Sequence, residues 1–198
     1  MIKRSFYFIR HGETDWNAKG IMQGHTDIPL NEKGIAQAHT AGLYLSAMQL
    51  PITRLITSGL SRAQKTAEII DIHLKLSQKL IYEPLLNERH FGDFEGKTKN
   101  EVDAYRANHK EKFLNALEEN GFPPIPNGER YADFKARIVS NINKFLDAHA
   151  DDQVLFVLHG GVYNVLTRLH GFEINAIENA KPYFFEKDHE EKWHLHPL

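Results

Sequence analysis

The chain has 198 residues, 41% of them hydrophobic and 25% charged, the size and balance of one globular domain with a full core. Its 24 basic and 26 acidic residues leave a net charge of -2, so it offers no basic field for nucleic acid and no polybasic patch for a membrane. Cysteine is absent, which excludes disulfides, thiolate catalysis and cysteine-ligated zinc.

The opening MIKRSFYFIRHGE has too short an apolar stretch for a signal peptide, and no apolar run reaches the length of a membrane span. A cytoplasmic protein is the expectation. Along the chain, strands are predicted at Ser5–Arg10, Arg54–Thr57, Lys79–Glu83, Gln153–His159 and Tyr183–Glu186, with a last short one near Trp193–Leu195. Helices are predicted from about Glu32 to Met48, Leu60 to Leu74, Glu129 to Ala148 and Gly161 to Leu169. In the second of these, Leu60, Ala63, Ala67, Ile70 and Leu74 form one apolar stripe, with Arg62 off it in the first turn. The third carries Phe134, Ile138, Ile142 and Phe145 on the same period. Short apolar strands alternating with amphipathic helices predict a three-layer α/β/α sandwich with a mostly parallel central sheet.

Residues 97–128 break the rhythm. A charged, helical stretch (Glu101–Glu119) leads into Gly-Phe-Pro-Pro-Ile-Pro-Asn-Gly, which reads as a small helical excursion or lid over the site of a single domain spanning 1–198. The excursion is too short to bury a core of its own.

Two segments echo each other, Phe6-Tyr-Phe-Ile-Arg-His-Gly and Val154-Leu-Phe-Val-Leu-His-Gly. Each is a buried-type strand ending in His-Gly, and ligands of open α/β sheets sit beyond the carboxyl ends of the strands. If the strands are parallel neighbours, His11 and His159 share one crevice. Gly160 and Gly161 then open a helix whose N-terminus favours an anion. Arg62 opposes the dipole of its own helix, a cost that serving a bound anion would explain. Arg10 and Arg62 beside two imidazoles suit a phosphoryl group, whose oxygens guanidinium forks match.

A histidine nucleophile has to be neutral, and neighbouring arginines disfavour its charged form. The same arginines supply the charge neutralisation that a metal would otherwise give, so neither metal nor cofactor is expected. The leaving alkoxide needs a proton, for which Glu88, Asp93 and Glu95 compete in Asn87-Glu-Arg-His-Phe-Gly-Asp-Phe-Glu-Gly. Spacing alone does not choose among them.

The segment Arg10-His-Gly-Glu-Thr, with Asn17, Gln23-Gly24 and Asp27-Ile-Pro-Leu-Asn-Glu-Lys-Gly, closely resembles the signature of the histidine phosphatase superfamily, which includes cofactor-dependent phosphoglycerate mutases and many phosphatases. Thr57-Ser-Gly-Leu-Ser-Arg-Ala-Gln-Lys-Thr-Ala resembles its second motif, Leu86–Gly96 its acid loop and Leu158-His-Gly-Gly its second histidine. The resemblance implies that His11 is the phosphorylated nucleophile and that Glu88 is the general acid and later the base. It also implies that Arg10, Arg62 and His159 hold the phosphoryl oxygens, with Asn17, Gln23, Gly24 and Gly160 close by. Two departures are Gly59, where many relatives have an acidic residue, and Arg130, where many have serine.

A phosphoric monoester hydrolase of the histidine acid type is therefore expected, with phosphoglycerate mutase as the alternative. No paired arginines occur in Asn100–Gly128, and His159-Gly-Gly followed by Val-Tyr-Asn-Val-Leu resembles the phosphatase branch. The expected partner is a small phosphorylated metabolite; a homodimer is left open, and no nucleic acid or membrane is expected. Of the other histidines, only His90 is placed near the site. His39, His73 and His149 read as surface or helix-edge residues, and His189, His194 and His196 as a solvated tail rather than metal ligands. Phe113, Leu114, Phe122 and Ile125 either line the lid or pin the excursion to the core, the second being the simpler reading.

Overall fold

The computed structural model describes residues 1–109, 124–173 and 176–198. Strands β1 (Phe6–Arg10), β2 (Arg54–Ser58), β3 (Ile81–Glu83), β4 (Val154–Leu158), β5 (Pro182–Lys187) and β6 (Trp193–Pro197) form one six-stranded sheet, ordered β3-β2-β4-β1-β5-β6. The first four are mutually parallel, and β5 and β6 add antiparallel at one edge.

Helices α2 (Glu32–Ala47) and α3 (Ser61–Leu74) cover one face; α5 (Tyr131–Ala148) and α6 (Gly160–Leu169) cover the other. The alternation of strand side chains decides which core each joins. Phe6, Phe8 and Phe156 pack with Phe134, Ile138, Ile142 and Val162, whereas Tyr7, Ile9, Leu155 and Val157 pack with Ala41, Leu45, Ala67 and Ile70. Both central strands are buried on both faces, so they are apolar almost throughout. This is the three-layer arrangement expected from the sequence.

A third, smaller core lies under the excursion, where Val102 of α4 (Lys99–Asn108) meets Phe94 and Ile125. Ile125 is buried there and pins the excursion, while Phe113, Leu114 and Phe122 lie outside the described residues. Helix α4 begins at a capping box between Thr98 and Glu101 and ends at Asn108, and the charged stretch expected to be helical lies outside the described residues from 110 on. A four-residue helix, α1 (Asp15–Ala18), has no counterpart in the periodicity, being too short to show one. Its start is set by another capping box, Thr14 with Asn17.

The C-terminal histidines need correcting. They remain exposed but do not form a tail: β6 pairs along β5, with His194 bonded to Asp188 and His196 to Glu186, each at 2.8 Å, and His189 sits in the turn between the two strands. No helix among the described residues is long and apolar enough to cross a membrane.

Candidate active site

The register of the central strands builds the site. Arg10 lies opposite Leu158, and the His11 N–H donates to the Leu158 carbonyl at 2.9 Å, so both His-Gly pairs leave the sheet at the same level. The chain leaves β1 toward the α2 and α3 face but leaves β4 directly into α6 on the opposite face. A crevice opens where neighbouring strands diverge in this way. The imidazoles of His11 and His159 lie at its floor, ring centroids 5.3 Å apart.

His11 is 3% exposed, and its Nδ1 sits 2.7 Å from the Gly12 carbonyl oxygen. A carbonyl can only accept, so Nδ1 carries the proton and Nε2 the lone pair. Burial, followed by the charges of Arg62 and Arg10, holds its pKa well below the ordinary histidine value, against a smaller opposing effect of the Gly12 carbonyl. His159 is fully buried, and the same desolvation and the Arg62 charge depress its pKa too. Its Nε2 lies 2.7 Å from the Ser58 hydroxyl, which also accepts from the Leu60 N–H at 3.3 Å. The Ser58 proton is then free to point at Nε2, leaving Nδ1–H as the donor end of His159.

Arg62 is 1% exposed, so a solvated side chain is ruled out. Its guanidinium reaches from the first turn of α3 to the Gly24 carbonyl at 2.8 Å and the Thr26 carbonyl at 3.1 Å. Arg10 donates to the Ile177 carbonyl at 2.9 Å. Three buried nitrogens in this cluster, Nε of Arg10, Nε of Arg62 and Nδ1 of His159, have no partner among the described residues. Leaving a buried donor unmade costs about 1–3 kcal/mol, and three donors gathered in one place fit an anion that would satisfy them together.

Above this floor is a cleft of about 390 Å³, lined by Arg10, His11, Asn17, Gln23, Gly24, Arg62, Glu88 and Gly160 among others. The Asn17 side-chain oxygen accepts from the Thr14 N–H at 3.2 Å and that of Gln23 accepts from the Thr14 hydroxyl at 3.1 Å, so the amide nitrogens are the ends left for the cleft. Glu88 accepts from two backbone N–H groups, Arg89 and Gly161, both at 2.8 Å. A Cβ on Gly161 would stand 2.2 Å from a Glu88 oxygen, so any other residue at the start of α6 would displace this carboxyl group. Neither Asp93 nor Glu95 is among the lining residues.

Residues 6–183 match the family model of the histidine phosphatase superfamily (branch 1). The chain belongs to this superfamily. It is 34% identical to an uncharacterized phosphatase of Bacillus subtilis, over 82% of this chain and 76% of that one. It is 33% identical to a 2,3-bisphosphoglycerate-dependent phosphoglycerate mutase of Mesorhizobium japonicum, over 89% and 80%. Among solved structures, a mycobacterial glucosyl-3-phosphoglycerate phosphatase superposes with a TM-score of 0.80 at 26% identity, covering 99% of each chain. Phosphatases and mutases of the histidine phosphatase superfamily thus both stand among its relatives.

Every catalytic or phosphate-binding residue expected from the sequence lines this cleft except His159, which lies beneath it against His11. Several lining residues escaped sequence reasoning: Ile21, Met22, Phe91, Asn164, Ala176 and Ile177. Apolar residues in loops carry no period, and Asn164 follows His159-Gly-Gly at one helical turn, a spacing that could have found it. His90 is not the only other histidine near the site: the His25 ring lies against it, tilted by 57° with centroids 5.1 Å apart, and reaches the Glu88 main chain. Gly59 donates its N–H to Asn87 at the start of the acid loop, while Arg130 is an exposed residue preceding α5 and does not line the cleft.

Proposed function

We propose that the chain is a metal-independent phosphomonoester hydrolase working through a phosphohistidine on His11. The observation that carries this reading is the His11 imidazole itself, buried, held neutral, with its proton fixed on Nδ1 by the Gly12 carbonyl. The Nε2 lone pair attacks phosphorus, and the bond from phosphorus to the ester oxygen breaks. Glu88 gives its proton to the departing alkoxide. Arg10 and Arg62 take up charge on the phosphoryl oxygens, with Nδ1–H of His159 as a further donor. The new cation on the phosphorylated imidazole is stabilised by the Gly12 carbonyl. In the second half, Glu88 takes a proton from water, the water oxygen attacks phosphorus, and the Nε2–P bond breaks to return neutral His11.

The substrate read from this site is a small phosphorylated metabolite. A phosphoglycerate mutase would perform the same first step, and mutases are among the relatives. It would also have to bind a second anionic group. The cleft's cations among the described residues are Arg10 and Arg62, both at the phosphoryl end, and its remaining walls include Ile21, Met22, Phe91, Ala176 and Ile177. This favours transfer to water. The test is a panel of phosphate esters, with and without excess EDTA, that includes 3-phosphoglycerate together with 2,3-bisphosphoglycerate. Release of phosphate that survives EDTA, with an acid-labile, base-stable label on His11 in quenched reactions, is the expected result. Isomerisation outrunning phosphate release would assign the chain to the mutases instead.

A further inference from the structure

Glu95 and His25 do not line the cleft, yet they join its two halves. The Glu95 carboxylate accepts from the N–H groups of His25 at 2.9 Å and Phe91 at 3.0 Å through Oε1. Through Oε2 it accepts from the Thr26 N–H at 2.9 Å and the Thr26 hydroxyl at 2.5 Å. Gly24 has φ +55, and a Cβ there would lie 2.1 Å from Oε1, so the loop backbone packs directly on this carboxylate. Burial raises the Glu95 pKa, but these four hydrogen bonds outweigh it and keep the group ionised. Glu95 is thus built as an acceptor and not as a proton donor.

The His25 ring completes the link. Its Nε2 lies 2.8 Å from the Glu88 carbonyl oxygen and must donate to it. Residues 24–26 are therefore gripped from both sides: Arg62 holds the carbonyls of Gly24 and Thr26, while Glu95 and Glu88 take the N–H groups and the histidine ring. Arg137 also reaches the Glu88 carbonyl, at 3.3 Å, but it binds those of Leu85 and Asn87 as well and fixes the acid loop to α5. The Gly59 N–H on Asn87 and the Gly161 N–H on Glu88 also tie that loop to the phosphoryl side, and the His25–Glu95 connection joins it to the segment at 24–26 that Arg62 holds.

We propose that His25 and Glu95 are positioning residues that set the Glu88 carboxyl group against the phosphoryl group held by Arg62. This rests on reading Glu88 as the proton donor. A misplaced donor costs most where the leaving group needs its proton, so the readout is kcat/KM, which reports the first phosphoryl transfer, on two esters. His25→Ala is expected to lower kcat/KM about tenfold on an alkyl phosphate and less than about threefold on p-nitrophenyl phosphate, whose phenolate departs unaided. His25→Gln, whose amide nitrogen can reach the same carbonyl, should restore the alkyl rate, and Glu95→Gln should repeat the selective loss. Equal losses on both esters, or no rescue by His25→Gln while Glu88→Gln remains selective, would overturn the proposal alone. If Glu88→Gln itself lost equally on both esters, the assignment of Glu88 would fall, and this proposal with it.

Discussion

The two sides of the cleft are built by different means. On the phosphoryl side, His11 and His159 end adjacent parallel strands and Arg62 stands in the first turn of a packed helix, so their places follow from sheet register and core packing. On the acid side, Glu88 belongs to an irregular stretch of two short 3₁₀ turns, Pro84–Leu86 and Gly92–Phe94. That stretch is held by polar links: the bidentate Arg137–Glu129 pair at 2.8 and 2.9 Å, Asn127 on Asp93, and the Glu95 cluster. Each such link is worth about 1 kcal/mol net, far less than the layered core that fixes the strands. Substitutions on the acid side should therefore change catalysis without unfolding the chain, whereas the phosphoryl side joins catalysis to stability.

The largest expected effect falls on His11, the proposed nucleophile. His11→Ala should reduce turnover by on the order of 10⁴-fold or more on every ester, because no alternative acceptor remains for the phosphoryl group. Turnover and label incorporation measured together check it, since a variant that still turned over without label would mean water attacks directly. The next effect tests the join between the two sides. Gly161→Ala drives a methyl group into Glu88 and should cost about 10- to 100-fold in kcat/KM. At Gly160 a Cβ would meet Arg10 at 3.6 Å, an ordinary contact, so Gly160→Ala should cost less than about threefold. Equal losses from the two substitutions would show that the start of α6, and not its contact with Glu88, is what matters.

The same contrast explains what could be read in advance. The strands, the long helices, both strand-end histidines and Arg62 were legible because burial imposes a period and because a cation in a helix's first turn is out of place. The proposed choice of Glu88 over Asp93 and Glu95 is not legible from spacing. It depends on where an irregular loop turns: Asp93 is spent on Asn127 at 3.0 Å and Glu95 on the loop at 24–26. His25 was missed for the same reason, since its partner, the Glu88 carbonyl, is far along the chain and belongs to the backbone, which leaves no mark in sequence. The Thr14–Asn17 capping box, by contrast, was written in the sequence, and its four-residue helix went unread because it has no periodic face.

The smallest effect concerns acid. On the phosphoryl side, burial first and then the Arg62 charge hold His11 and His159 well below the ordinary histidine value. His170, at the end of α6, is stacked on Trp193 at 4.0 Å, and neither ring nitrogen has a partner among the described residues. Burial, aided by the N-terminal amino group, lowers its pKa to about 4. In the unfolded chain all three would take up protons near pH 6.5. Below that value the unfolded state binds more protons than the folded one, so stability is complete above about pH 6.5 and declines as the pH falls toward 4. For the half-buried His170 the share is about 1 kcal/mol after solvent screening, or roughly 2–4 °C in melting temperature. His170→Phe keeps a ring on Trp193 but removes the titration, so its melting temperature should fall less than that of the wild type between pH 7.5 and pH 5. Parallel curves for the two proteins would show that His170 does not contribute, and would leave the acid loss to the paired histidines at the strand ends, where stability and catalysis draw on the same neutral imidazoles.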